Sequence, residues 1–253
     1  MQRIKTAKPN IDYLALQHRL HCLVHGLFLL LLSLSVQADV KQLTFATIAN
    51  SVNSQISLQV MREAYKKLDI DVDADFLPAS RSLMMASYGQ YDGELYRIAG
   101  ISEDYPHLLK VPTPINQVEV VAFCRTDDDN SMTLESLKGY RLGVRRGVRF
   151  NVHLPLDHST QEVASNQQLF NMLEKSRIDI ALLSRSNGLQ ILKEMEVTDI
   201  SPLNPPLLNL DLYHYVHIRH QQIIPHLDQI LQAMHTSGRI REIRENYLDT
   251  LFN

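Results

Sequence analysis

Short apolar runs alternate along the chain with longer stretches whose apolar residues recur every third or fourth position. That rhythm predicts an α/β protein. Leu43 to Ile48 reads as a strand, and Ile56, Val60, Ala64 and Leu68 mark one face of a helix over about residues 54–68. Ile70 to Leu77 is strand-like and ends at Pro78. A helix then carries Leu83, Met84 and Ala86 and stops at Gly89. Asp92 to Ile98 is the next strand, and Tyr105 to Ile115 reads as irregular, Pro-marked chain before the apolar Val118 to Cys124. Asp127-Asp128-Asp129 sits in a polar loop without the Gly and closing Glu of a calcium-binding loop. Beyond it, Thr133 to Leu137 predicts a short helix, Tyr140 to Val144 a strand and Leu169 to Leu173 part of a helix. Ile178 to Leu183 predicts a buried strand, Leu189 to Met195 a helix, and Leu210 to Ile218 a strand. Two closing helices fill Ile223 to Leu251, divided at Ser237-Gly238. Strands and helices in this order imply largely parallel sheets.

Two loop-bounded strands, 118–124 and 210–218, are the expected crossings between two lobes. Residues 41–117 and 219–253 would form lobe 1, and 125–209 lobe 2. A ligand would lie between them at strand carboxyl ends, where open α/β sheets place their sites.

Residues 1–38 change the setting. A basic leader with Arg3, Lys5, Lys8 and Arg19 precedes the apolar run Leu23 to Val36, and Val36-Gln37-Ala38 suits signal cleavage before Asp39. The run is short for a membrane span, which needs about 20 apolar residues; an uncleaved anchor is the alternative. The expected location is the periplasm. The whole chain of 253 residues has a formal charge of −3, so the part after the basic leader is more acidic still. That balance argues against nucleic acid as a partner. One of the two cysteines, Cys124, lies beyond the leader, so no internal disulfide is expected there. No Gly-x-Ser-x-Gly, His-Glu-x-x-His or phosphate-binding Gly-Lys loop is present. His214 and His217 lack zinc-site spacing. No cofactor and no metal are expected.

Four segments together resemble one family. They are Leu77-Pro78-x-x-Arg81-Ser82-Leu83 with Gly89-Gln90-Tyr91-Asp92-Gly93-Glu94 and Arg97; Leu137-Lys138-Gly139-Tyr140-Arg141-Leu142-Gly143-Val144-x-x-Gly147; Leu173-Glu174-x-x-Arg177-Ile178-Asp179-Ile180-Ala181; and Tyr213 to His217 with Ile240-Arg241-Glu242-Ile243. In order and spacing this resembles the family 3 extracellular solute-binding proteins. The resemblance implies a two-lobe, type II periplasmic binding protein, monomeric, that closes on an amino-acid-like or carboxylate solute. Its partner would be the membrane permease of an ABC importer or, alternatively, a membrane sensor. It implies no catalysis; a dehydratase-like enzyme on the same fold is the other alternative, with Glu94 as its acid or base. The chain departs from the family where an α-carboxylate is usually held, since Ile101-Ser102-Glu103-Asp104-Tyr105 has no arginine. It departs again where an acid usually holds the α-ammonium, since Ser184-Arg185 stands there.

The candidate ligand-binding residues follow from strand ends and this resemblance. Arg97 ends a strand and offers a fork of donors matched to a carboxylate. Glu94 is the acid of the same strand; regular alternation would put the two on opposite faces, so one is structural or the strand ends early. In Arg145-Arg146-Gly147-Val148-Arg149, a strand runs into what reads as a helix start that favours an anion. One of the three arginines would touch ligand, and Arg146, Gly147 and Arg149 are candidates. Ser184 and Arg185 close the other side of that lobe, and Arg81 starts a helix near the same strand ends.

Overall fold

In a computed structural model, residues 42–126, 133–148, 154 and 160–252 are described. The leader 1–38, the acidic loop at Asp127–Asp129 and Arg149 lie outside these residues.

Both halves of the fold contain β-α-β units whose helix faces match the apolar spacing. Strand β1 (Gln42–Ile48) leads into α1 (Val52–Lys66), which buries Ile56, Val60, Met61 and Ala64. The helix ends where Asp69 turns left-handed (φ 57°) and the Ile70 N–H donates back to the Tyr65 carbonyl at 3.2 Å. β2 (Asp71–Leu77) returns parallel to β1, and Pro78 starts α2 (Ala79–Ser87). β3 (Gly93–Arg97) follows, then the single turn α3 (Ile101–Asp104). In the second half, a 3-10 turn at Glu135–Leu137 precedes β5 (Leu142–Arg145). It is followed by β6 (Gln161–Val163), α4 (Asn166–Glu174), β7 (Ile180–Ser184), α5 (Arg185–Met195) and β8 (Ile200–Pro202). Asp179 holds the entry of β7 to that of β5 by accepting from the Arg141 N–H at 2.8 Å.

Two long strands join these halves. β4 (Leu108–Arg125) spans 18 residues, and β9 (Leu208–His217) pairs antiparallel with it from Leu108↔His217 to Val120↔Leu208. The far end of β4 pairs with β7 and β8. The sheet order is β2-β1-β3-β9-β4-β7-β5-β6, with β8 beside β4. Parallel blocks at both ends therefore flank an antiparallel centre, where the sequence predicted largely parallel sheets. The stretch 108–115, read from its prolines as irregular, belongs to β4. The strand tolerates Pro112 and Pro114 because its register with β9 slips on both sides of Pro114. After a 3-10 segment at Ile218–Ile223, helices α6 (Ile224–Thr236) and α7 (Arg239–Phe252) pack back on β4 and α1. Among the described residues no helix is long and apolar enough to cross a membrane.

His214 and Tyr215 of β9 serve packing. His214 is fully buried, its ring edge-on to Phe45 at 4.5 Å, with Tyr65 Oη 3.0 Å from Nε2 and the Leu95 carbonyl 2.9 Å from Nδ1. Tyr215 Oη donates to the Ile98 carbonyl at 2.7 Å. Burial pushes the His214 pKa down to about 4, against the pull of the Leu95 carbonyl.

Two outcomes are expected. A Cβ on Gly93 would lie 2.1 Å from the Tyr215 carbonyl oxygen, which the ladder holds in place. Gly93→Ala should therefore lower stability by about 1–3 kcal/mol in urea unfolding. His214 stays neutral in the fold at pH values where the unfolded chain protonates it. Its contribution is complete above about pH 6.5 and is lost as pH falls toward about 4. Urea midpoints over that window should fall more steeply for the native protein than for His214→Gln.

Candidate functional site

The carboxyl ends of β1, β3, β5 and β7 meet β4 and β9 at a pocket of about 640 Å³, its open mouth included. Ile48, Ile98, Val118, Val148, Leu182 and Leu212 supply apolar wall. The polar groups come from strand ends and from the first turns of three helices: Ser51 and Asn53 at α1, Asn166 at α4, Ser184 and Asn187 at α5, with Tyr96, Arg97 and Arg145.

Two of the helix caps are unusual. Ser51 is the N-cap of α1, yet its hydroxyl lies 2.9 Å from Tyr96 Oη and makes no bond to its own helix. Ser184 is the N-cap of α5, and its buried Oγ has no hydrogen-bond partner at all among the described residues. An N-cap serine ordinarily accepts from the second or third helical N–H, as Ser165 does from Gln168 at 3.2 Å. Ser184 instead leaves a donor beside the pocket, and a buried hydroxyl without a partner is costly.

The two pocket arginines are held differently. Glu94 and Arg97 fall on the same side because the register with β9 shifts between them, so the alternation that separates them in a regular strand does not apply. Arg97 Nε donates to Glu94 Oε1 at 2.8 Å, and Nη2 donates to the Ala79 carbonyl at 2.8 Å. Ser82 Oγ donates to the other Glu94 oxygen at 2.5 Å. Burial pushes the Glu94 pKa up to about 7, although Arg97 and Ser82 pull it down. Arg145 is also buried, but Nη2 donates to the Ala49 carbonyl at 3.0 Å and Nη1 to that of Asn50 at 3.5 Å. Among the described residues no carboxylate pairs with it. Burial and the nearby Arg97 lower its pKa from the ordinary arginine value.

Several contacts tie the two sides of the pocket together. Arg145 reaches from β5 to the β1–α1 loop. The Val52 N–H, at the start of α1, donates to Asn187 Oδ1 of α5 at 2.7 Å. Gly147 (φ 79°) lies so close to α2 that a Cβ would sit 2.5 Å from Ser80 Oγ.

Arg97 and Ser184 therefore line the pocket, while Glu94 stands behind Arg97. Arg81 is exposed, its Nε 3.3 Å from Met85 Sδ of its own helix. Arg146 lies on the surface, 3.7 Å from Glu162. The chain after β5 makes a turn at 146–147, and the helix expected to follow falls from Arg149 on outside the described residues; the close approach that Gly147 permits is to Ala79 and Ser80. Arg185 turns away to Glu119 at 2.6 Å and Asn204 at 2.9 Å. Ser51, Asn53, Tyr96, Asn166 and Asn187 were not singled out from sequence. Ser51 ahead of the amphipathic α1 pattern was the available signal, since a serine before such a run marks a helix N-terminus at a strand's carboxyl end. Among the described residues no group of three His, Cys, Asp or Glu side chains could hold a metal ion.

No protein-family model matches the chain. An uncharacterized protein of Shewanella oneidensis is 25% identical over 199 residues, 74% of this chain and 73% of that one. Three solved structures share the fold. A histidine kinase sensor domain with similarity to periplasmic binding proteins aligns with a TM-score of 0.70 at 14% identity, over 82% of this chain and 96% of its own. An amino acid ABC transporter substrate-binding protein from Streptococcus pneumoniae, bound to L-arginine, aligns at 0.68 and 11%, over 84% and 97%. The GluR0 ligand-binding core with L-glutamate aligns at 0.68 and 12%, over 83% and 100%. The chain thus has the two-lobe fold of periplasmic binding proteins, with its cleft between the lobes.

Arg97→Gln should strand the buried Glu94 and cost about 3–5 kcal/mol in chemical unfolding at pH 8. The double change Glu94→Gln with Arg97→Gln, which removes both charges, should cost less than Arg97→Gln alone.

Proposed function

We propose that this protein is a periplasmic solute-binding protein whose cleft captures a small organic anion for ABC-type uptake. The observation that carries the reading is Arg145, a buried guanidinium in the pocket whose recorded partners are two carbonyls. Two of its five N–H donors are used there, and a neutral carbonyl cancels none of its charge. Arg97 has Nη1 beyond its bonds to Glu94 and Ala79. Two guanidiniums with one carboxylate between them leave an excess positive charge that an anion can balance. First turns of three helices around the same space add partial positive charge.

In this reading the lobes are residues 41–117 with 219–253, and 125–209. Segments 118–124, within β4, and 210–218, which follows β9 to one residue past its end, are the crossings between them. The leader 1–38 directs export. Binding without turnover fits the placement of Glu94, which is enclosed by Arg97 and Ser82 and does not line the pocket. A sensor that presents bound ligand to a membrane partner is the second reading, favoured by the likeness to the histidine kinase sensor domain.

The test is thermal unfolding of the purified protein against amino acids, dicarboxylates, keto acids, phosphate esters and polyamines. A ligand at 100 times its dissociation constant should add about 2.7 kcal/mol. An anionic class should raise the midpoint, and Arg145→Gln should abolish that shift while keeping native circular dichroism. Stabilisation by polyamines alone would overturn the reading.

A further inference from the structure

We infer that the ligand is a small monocarboxylate with an apolar body and no ammonium group. The inference rests on the anion-binding reading above and narrows it from the composition of the pocket wall. No aspartate or glutamate lines the pocket among the described residues. Glu94, behind Arg97, has its two oxygens occupied by Arg97 and by Ser82. An ammonium group would enter a buried space already holding the uncompensated Arg145, with no carboxylate to meet it. Like charge and lost hydration both oppose that.

The charge balance also limits the anion. Above the Glu94 pKa of about 7 its carboxylate neutralises Arg97, so Arg145 contributes one unbalanced positive charge, enough for one carboxylate. A second carboxylate would need a further cation that none of the described wall residues provides. The rest of the wall sets the body of the ligand. Ile48, Ile98, Val118, Val148, Leu182 and Leu212 offer hydrocarbon contact. Ser184 supplies a hydroxyl with no protein partner, fitted to donate to a ligand oxygen.

Calorimetric titration of the purified protein with matched pairs separates these requirements. The probes are 4-methylpentanoate against L-leucine, and 3-phenylpropanoate against L-phenylalanine, with succinate as the dianion. The expected result is saturable binding of at least one apolar monocarboxylate, with its amino-acid counterpart roughly 100-fold weaker or worse. Asn187→Asp should narrow that gap at least tenfold, because an aspartate there still accepts the Val52 N–H and adds the missing counter-ion. An amino acid that binds as well as its matched acid, or succinate alone binding, would overturn the inference while leaving an anion- or zwitterion-binding cleft. Binding of neither monocarboxylate would also overturn it, and the wider thermal panel then judges the anion reading separately. A gap that Asn187→Asp leaves unchanged would overturn the counter-ion argument on which the inference stands.

Discussion

Arg145 crosses from the end of β5 to the carbonyls of Ala49 and Asn50, and so places a buried positive charge where the two halves of the sheet meet. A guanidinium can be buried there because carbonyl oxygens take part of its donor fork, yet carbonyls carry no net charge to cancel it. The charge is therefore satisfied in hydrogen bonds on one side and unbalanced overall. Ser184, with its orphaned hydroxyl, faces the same space from the end of β7. Both groups lie at carboxyl ends of parallel strands, which is where this topology opens its helices' first turns toward a common point.

The bulge in β3 determines how much of that charge is left over. Without the register shift, Glu94 and Arg97 would face opposite sides of the strand and neither would be neutralised by the other. With it, the pair closes at 2.8 Å, backed by Ser82 and the Ala79 carbonyl, and one arginine is withdrawn from the balance. A buried pair of this kind gains little net stability, but removing one partner leaves an expensive charge behind. Among the described residues the result is a pocket with one free positive charge, although two arginines border it.

The regular elements were legible in the sequence because their signals are local. The Ile56-Val60-Ala64 stripe, Pro78 ahead of α2 and the Ser237-Gly238 break between α6 and α7 each act within a few residues. β4 was legible only from Val118 onward, since Pro112 and Pro114 are compatible with a strand there only through register slips that depend on β9. The site was harder for the same reason. Arg97 could be named from its strand end and Ser184 from the family resemblance, but the pairing of Arg97 with Glu94 depends on a bulge. Sequence also offered no way to choose among three neighbouring arginines. Arg145 is still in the strand and reaches inward, whereas Arg146 has entered the turn and meets solvent and Glu162. Asn187 is invisible as a site residue until α5 is packed against the start of α1.

The same groups that border the pocket hold its two sides together, and that links occupancy to closure. Separating the sides breaks the Asn187 contact with the Val52 N–H and frees the Ala49 and Asn50 carbonyls from Arg145. In an open cleft, water can replace both contacts, so each contributes only modestly to the closed state. Gly147 against Ser80 adds close packing but no charge compensation. Bringing Arg145 into the closed space costs hydration of its charge, and the described residues of the wall include no acid to offset that loss. In the anion-binding reading, an anion beside Arg145 would supply the compensation, and fully so only with the sides together. Its affinity for a closed form would then exceed its affinity for an open one, which is the condition for a ligand to shift such an equilibrium.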